Sequence, residues 1–401
     1  MKKTVTAILS VILILIIVFA AAVYFLNPLA PVKGTRDFYL GVSFNGNTTE
    51  EAKLLIDRVK PYTNLFVIQS GPVSINETAM NEIVDYAVNS GLDVIVYFGF
   101  FNPDYPWQLP WLDHAKQHWG NHFLGVYLND EPGGYLVDLN WTGYFTQTRI
   151  RNSSDYYLHA PAVDLALNGS LPRDYAQAAA HFNDEIWYNL SVNELKNRSI
   201  TAFTSDYALY WFDYLGGYDV VFAEIGSNSS LTQNIALNRG AARMQNKTWG
   251  IIITWTYDHP PYLANGSVIY QQMLNSYLAG AEYIVIFNYP QLPENPYGVL
   301  TDEHFEAIEK IWTVTGSVEP DNRQKDDAVL VLPENYGWGM RREDDRIWGV
   351  WGPDDKSEQI WNISRELLAK YDFRLDIIYD NPAFPVDNWY AKVYYWNQTV
   401  D

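Results

Sequence analysis

From residue 38 to residue 313 the chain alternates between short, continuously apolar runs and longer segments that carry helix-start and helix-stop signals. Asp93-Val-Ile-Val-Tyr and Gly250-Ile-Ile-Ile-Thr are typical of the runs. Strands of this kind suit a parallel sheet buried on both faces, because helices on both sides leave no wet surface to demand alternation. The first unit has a strand at 38–44 and a helix to about Lys60, with Thr49 as its expected N-cap and Glu50 and Glu51 in its first turn. A strand at 65–69 with a helix at 76–90 ended by Gly91 makes the second unit, and a strand at 93–98 with a helix around 111–119 the third. The fourth strand, 123–128, runs into Asn129, Asp130, Glu131, Pro132, Gly133 and Gly134, which reads as a loop too rich in Gly and Pro to continue either element. Helical spacing returns near 174–197. Further strands are expected at 200–204, at 219–223 ending on Glu224, at 250–254 and at 283–287, with an aromatic helix at 207–215 and a closing helix at 303–313.

Eight such alternations, with polar residues at most strand ends, predict an α/β fold: a (β/α)8 TIM barrel in preference to an open doubly wound sheet. Beyond Pro320 the pattern restarts with strands at 328–332, 374–379 and 391–395 and a helix at 356–371. The expected division is residues 1–37 as membrane anchor and linker, 38–319 as the barrel and 320–401 as a smaller C-terminal α/β domain.

The anchor is read from residues 5–26, which hold no charge and are long enough as a helix to span a hydrocarbon core of ~30 Å. A cleavable signal sequence is the alternative, since Lys2 and Lys3 precede the run and Ala20, Ala21 and Ala22 lie within it. Lys33 and Arg36 balance the two leading lysines, so flanking charge does not orient the helix. Twelve Asn-x-Ser/Thr sequons do, because all follow it: Asn47, Asn76, Asn140, Asn152, Asn168, Asn189, Asn197, Asn228, Asn246, Asn265, Asn362 and Asn397. With 31 asparagines in the chain, chance would give roughly three such triplets. The body is therefore expected outside the cytoplasm, tethered to the cell membrane and glycosylated. There is no cysteine, so the core must supply all the stability, and glycan acceptors without cysteine fit an archaeal surface better than an animal secretory pathway.

A formal net charge of −20 and the lack of any basic stripe argue against nucleic acid as a partner. No Gly-x-Gly-x-x-Gly fingerprint, Walker lysine loop or Gly-x-Ser-x-Gly elbow is present, so neither a nucleotide cofactor nor a serine nucleophile is expected. His114, His118 and His122 recur at helical spacing but lack the His-Glu-x-x-His arrangement, and no metal site is assigned to them.

Active sites of such barrels lie at the C-terminal ends of the strands. The polar residues expected there include Asn45, Gln69, Asp130, Glu131, Glu224, Tyr257, Asp258, Asn288 and Tyr289. Carboxylates dominate, which suits cleavage of a glycosidic bond: one protonated carboxyl serves the leaving oxygen, and a second group stabilises or attacks the oxocarbenium-like centre. Glu131, Asp130, Glu224 and Asp258 are the catalytic candidates. Asn45, Gln69, Trp255, Tyr257, Asn288 and Tyr289 are the candidates for sugar binding, Trp255 as a stacking platform.

The segment Gly125-Val-Tyr-Leu-Asn-Asp-Glu-Pro-Gly resembles the strand-four signature of barrel glycoside hydrolases, above all the retaining N-acetylhexosaminidases with paired Asp-Glu. That resemblance implies an acid/base role for Glu131 and a hold on the attacking 2-acetamido group for Asp130. The C-terminal domain is also similar to one appended to some barrel β-galactosidases. Two departures stand out. Retaining barrels with catalytic Glu on strands four and seven would want a Glu where this chain has Thr254, Trp255, Tyr257 and Asp258, and chitinase-like enzymes want Asp where Asn129 stands. The expected function is a surface glycoside hydrolase acting on a polysaccharide or glycan; the alternative is a non-catalytic barrel that binds glycans or builds the cell envelope.

Overall fold

A computed structural model describes residues 38–147, 173–227, 229–289, 292, 294–316, 328–386 and 389–400. The expected membrane helix lies outside the described residues. Among those described, no helix is long and apolar enough to cross a membrane.

Eight parallel strands close into a barrel: β1 Tyr39–Phe44, β2 Leu65–Ile68, β3 Asp93–Phe98, β4 Phe123–Leu128, β5 Ala202–Asp206, β6 Val220–Ile225, β7 Thr248–Ile253 and β8 Tyr283–Ile286. Each pairs with its neighbour in sequence, and β8 returns to β1 in the register Tyr39 to Tyr283. The helices between them are α1 Thr49–Val59, α2 Gly71–Ser74, α3 Glu77–Asn89, α4 Gln108–His118, α5 Pro132–Gln147, α6 Tyr175–Asp184, α7 Val192–Asn197, α8 Tyr210–Gly216, α9 Leu231–Met244, α10 Gly266–Leu278 and α11 Asp302–Thr315. Helices α9 and α10 are not among the expected elements.

The apolar runs serve two separate cores, which is why they do not alternate. Residues such as Leu65, Val67, Ile95, Phe203, Phe222, Ile252, Tyr283 and Val285 point inward and fill the barrel, while a larger cluster packs the outer strand faces against the helices. The interior is aromatic: Tyr39 stacks on Tyr283 at 4.8 Å between ring centroids, and Phe203, Phe222 and Tyr283 contact one another at 5.4–5.8 Å. Each large side chain so buried contributes about 1.5–3 kcal/mol relative to exposure.

Several element ends move from their expected places, each for a local reason. Thr48, not Thr49, caps α1: its hydroxyl accepts the Glu51 N–H at 3.2 Å, and Glu51 Oε2 accepts the Thr48 N–H at 3.0 Å. Strand β5 starts and ends two residues late, because the Ile200 N–H is spent on the Leu195 carbonyl at 2.9 Å, finishing α7. The expected loop at 129–134 becomes helix from Pro132 onward; proline is well placed at the first helical position, where its missing N–H costs nothing.

Beyond residue 327, β9 Ala328–Leu332, β10 Leu375–Tyr379 and β11 Lys392–Tyr395 form a parallel sheet in the order β10-β9-β11, with α12 Asp355–Tyr371 packed on it. This sheet meets the barrel through α9. Arg239 Nε lies 2.7 Å from Asp376 Oδ1 and Arg243 Nη1 lies 2.8 Å from Asp376 Oδ2, with Arg239 and Asp376 both buried. Tyr390 also donates to Asp376 Oδ2 at 2.9 Å.

Candidate active site

The end of β4 leaves the barrel by an abrupt turn. Asn129 and Glu131 both take left-handed backbone conformations, with φ of 61° and 52°, and Asp130 stands between them. Such conformations cost on the order of 1 kcal/mol or more each in residues with a Cβ and persist only where the surroundings hold them. Two hydrogen bonds hold Glu131 here. The Glu131 N–H donates to the Ser205 carbonyl at 2.9 Å, and the Glu131 carbonyl accepts the Tyr135 N–H at 2.9 Å, opening α5.

The start of α5 is fixed by Asp206, the last residue of β5. Its buried carboxylate accepts the N–H groups of Gly133 at 2.5 Å and Gly134 at 2.8 Å, and those of Tyr207 at 2.7 Å and Ala208 at 3.1 Å. The two glycines are required by space: a Cβ on Gly133 would come within 2.7 Å of the Ala208 carbonyl, and one on Gly134 within 2.2 Å of the Tyr207 ring. Burial pushes the Asp206 carboxyl up to about 7 against these four donors. Asp213, buried beside it, is pushed well above the carboxylate range by burial and then by the charge of Asp206.

This frame sets Glu131 against Glu224 of β6. The two carboxyls are hydrogen-bonded to each other and line the same cavity. Behind them runs a chain of oxygens. Tyr127 Oη donates to Asp130 Oδ1 and lies 2.7 Å from Ser205 Oγ; Ser205 Oγ lies 3.0 Å from Asp130 Oδ1 and 2.5 Å from Glu224 Oε1. Two hydroxyl protons cannot satisfy all these contacts together with the Glu131 to Glu224 bond. A further proton must therefore reside on a carboxyl, and electrostatics places it. Glu224 is pushed well above its ordinary range by burial, then by the charges of Glu131 and Asp130, whereas Glu131 is raised to about 7 by burial and the charge of Asp130. Both carboxyls are therefore raised, Glu224 the more strongly, which favours a proton shared along the bond between them.

The cavity has a volume of about 880 Å³. The barrel contributes Glu131, Glu224, Ser227, Ser229, Ser230, Gln233, Asn234 and Thr254 to its lining, with Tyr207 as one aromatic wall; the chain beyond the barrel adds Arg341, Arg342, Trp361 and Arg365. Arg341 is held in place by Asp138 at 2.8 Å and by two bonds to Asp345 at 2.8 and 2.9 Å.

Of the residues singled out from sequence, Glu131, Asp130 and Glu224 are brought together. Asp258 stands apart on a loop with its side chain 98% exposed. Asn45 spends its amide on Ser43 Oγ and the Asn288 carbonyl at 3.0 and 2.9 Å, and Asn288 accepts the Val299 N–H, so both tie the ends of β1 and β8. Gln69 is buried at the end of β2. Trp255 packs against Tyr262, Phe287 and Tyr289, while Tyr257 and Tyr289 are exposed. None of these six lines the cavity that holds Glu131 and Glu224. His118 and His122 face Asp85 at 3.6 Å and Asp93 at 2.7 Å, and no group of residues able to hold a metal occurs among the described residues. Tyr127, Ser205, Asp206 and Tyr207 were not expected. The signal for the last three was the Thr-Ser-Asp-Tyr run after Phe203, hidden by ending the strand at Thr204.

Seven sequon asparagines, Asn47, Asn76, Asn197, Asn246, Asn265, Asn362 and Asn397, are exposed. Asn189 is a correction: it is buried, with its amide donating to Glu185 Oε2 at 2.7 Å, and cannot accept a glycan in this fold. Asn152, Asn168 and Asn228 lie outside the described residues, as does the side chain of Asn140.

With this geometry in hand, comparison with solved structures places the fold. The chain is similar to a polyextremophilic β-galactosidase from the Antarctic haloarchaeon Halorubrum lacusprofundi, at 10% identity and a TM-score of 0.57 over 89% of this chain and 68% of that one. It is also similar to a GH5_18 protein from Bifidobacterium longum subsp. longum, solved in complex with Manb1-4GlcNAc, at 10% identity and a TM-score of 0.52 over 90% and 96% of the two chains. The fold these structures share with the chain is the (β/α)8 barrel. No family model and no curated protein matches the sequence.

Proposed function

We propose that the protein is a glycoside hydrolase in which Glu131 is the general acid/base and Glu224 its partner. The supporting observation is the hydrogen-bonded Glu131–Glu224 pair, both carboxyls raised by burial and by neighbouring charge, lining one cavity on the face where barrel enzymes place their chemistry. With one proton between two carboxyls, one can protonate a leaving oxygen while the other stays negative beside the developing oxocarbenium centre. In the empty cavity burial leaves that proton on Glu224; passed along the hydrogen bond to Glu131, it is handed to the leaving oxygen, and Glu224 remains as the carboxylate. The direct hydrogen bond between the two carboxyls leaves no room for the water that an inverting pair holds between them.

Asp130 does not line the cavity, and its Oδ1 is engaged by Tyr127 and Ser205. Its role in this reading is to accept the Tyr127 hydroxyl, which leaves the Ser205 proton for Glu224; a carboxylate so engaged disfavours the substrate-assisted route that the sequence resemblance implies. The exposed sequons are consistent with a body outside the cytoplasm, tethered by the apolar segment at 5–26.

The test is turnover of a panel of chromogenic glycosides and cell-surface polysaccharides by the wild type and by Glu131→Gln. The expected outcome is activity on one sugar class and a loss of at least about a hundredfold in kcat for the variant. A wild type that binds oligosaccharides without cleaving any substrate would make this a glycan-binding barrel instead.

A further inference from the structure

One wall of the cavity carries a charge that the proposed chemistry does not use. Three arginines line it, and two are already neutralised: Arg341 by Asp138 and Asp345, and Arg342, on the surface, by Asp344 at 2.9 Å. Arg365 is different. Among the described residues no carboxylate pairs with it, although the chain holds 47 acidic residues against 27 Lys and Arg. Its guanidinium stacks on the Trp361 ring, with Cζ 3.9 Å from the centroid, and its Nε is buried without a hydrogen-bond partner. Across the same cavity Gln233, 3% exposed, spends its amide N–H on the Met340 carbonyl at 2.8 Å and leaves Oε1 buried without a donor.

A stacked, half-buried guanidinium without a counter-ion costs free energy, as does an unpaired amide oxygen; both costs vanish if a ligand supplies an oxyanion and a hydroxyl. Trp361 fixes the guanidinium plane and so presents its edge as a preorganised fork, the geometry that suits a carboxylate or a sulfate. An aromatic ring under the cation also lowers the entropy lost on binding.

We propose that the cavity takes a sugar bearing an oxyanion, a uronate or a sulfate ester, with Arg365 receiving the anionic group and Gln233 Oε1 accepting a ring hydroxyl. The inference deepens the glycosidase reading, on which it rests for catalysis though not for binding. Sugars that present only hydroxyls leave the Arg365 charge unmatched.

The test uses the full-length protein and aryl glycosides that differ only at C6, as CH2OH, carboxylate or sulfate ester, together with titration of the Glu131→Gln protein by galacturonate and neutral galactose oligomers. The expected result is a preference in kcat/KM for one anionic series, carried in KM. Arg365→Gln reduces that preference ten- to a hundredfold, and Arg365→Lys retains an intermediate share because it keeps the charge and loses the fork. Which series is preferred decides between carboxylate and sulfate. Equal or better turnover of neutral glycosides, or a preference that survives Arg365→Gln with the variant's melting curve unchanged, overturns the inference and leaves the hydrolase reading standing. Binding of galacturonate oligomers that Arg365→Gln abolishes, with no turnover by the wild type, upholds the inference and removes the hydrolase reading. Equal binding of both oligomers overturns the inference directly.

Discussion

Glu131 and Glu224 work against the stability of the fold they sit in. Both carboxyls are raised above their ordinary values, so the folded state binds protons more tightly than the unfolded chain. A raised carboxyl is least costly at low pH, and its penalty grows as pH climbs from the unfolded value near 4.5 through the folded value. Glu131 reaches that folded value at about 7. Replacing it with Gln is therefore expected to stabilise the protein at pH 8, by on the order of 2 kcal/mol, and much less at pH 5, where the wild-type group is protonated. Thermal melts of the two proteins at both pH values check the sign. The same ionisation shapes catalysis. The active pair holds one proton, so kcat/KM is expected to fall as pH drops through about 7 and the second proton binds, placing the acidic limb well above that of an ordinary carboxylate pair. A limb near 4.5 would show that the pair is not coupled. Glu131 and Glu224 were visible as acids at strand ends. Their proton sharing was not, because it depends on a hydrogen bond between strands four and six that no local pattern encodes.

At the scale of elements, the site depends on how α5 begins. Pro132 and the two glycines after it read as loop, since glycine weakens a helix by about 1 kcal/mol relative to alanine. Asp206 reverses that reading from seventy residues away by accepting the first free N–H groups of the helix, and Tyr207 occupies the space that a Cβ at Gly134 would need. Asp206→Asn is expected to cost about 1–3 kcal/mol, because one amide replaces a carboxylate that serves four N–H donors. Gly134→Ala should lower kcat/KM along with stability, since relief of its clash moves Tyr207 or the α5 start, and Glu131 goes with it. Denaturant unfolding and kinetics on the same samples separate the two effects. The strands were legible because each is a short apolar run between polar ends. Helices α9 and α10 were not, as their buried faces include Gln233, Asn238 and Arg239, whose partners lie elsewhere in the fold, and Ser276, which bonds back to the Gln272 carbonyl of its own helix.

For the whole molecule, the barrel and the sheet beyond it are joined through a buried ionic centre. Burial alone would raise the Asp376 carboxyl, but Arg239 and Arg243 outweigh it and hold it below the usual range. A lowered carboxyl contributes stability that is present above its unfolded value near 3.8 and lost as pH falls below it. Asp376→Asn is expected to destabilise the protein by about 3–5 kcal/mol at neutral pH, leaving two arginines uncompensated, with the difference from wild type shrinking toward pH 3. Chemical denaturation across that range measures it. Sequence anticipated a second α/β segment there, yet gave no sign that its loop and helix would close over the acids, because Arg341, Trp361 and Arg365 come from the far side of the chain. That separation has a consequence for synthesis. A ribosome finishes the barrel strands before α12 exists, so the nascent barrel carries Glu131 and Glu224 in a groove that lacks one wall. Only when the last segment docks does the groove gain the wall that carries Arg341, Trp361 and Arg365, so the site is completed by the end of the chain.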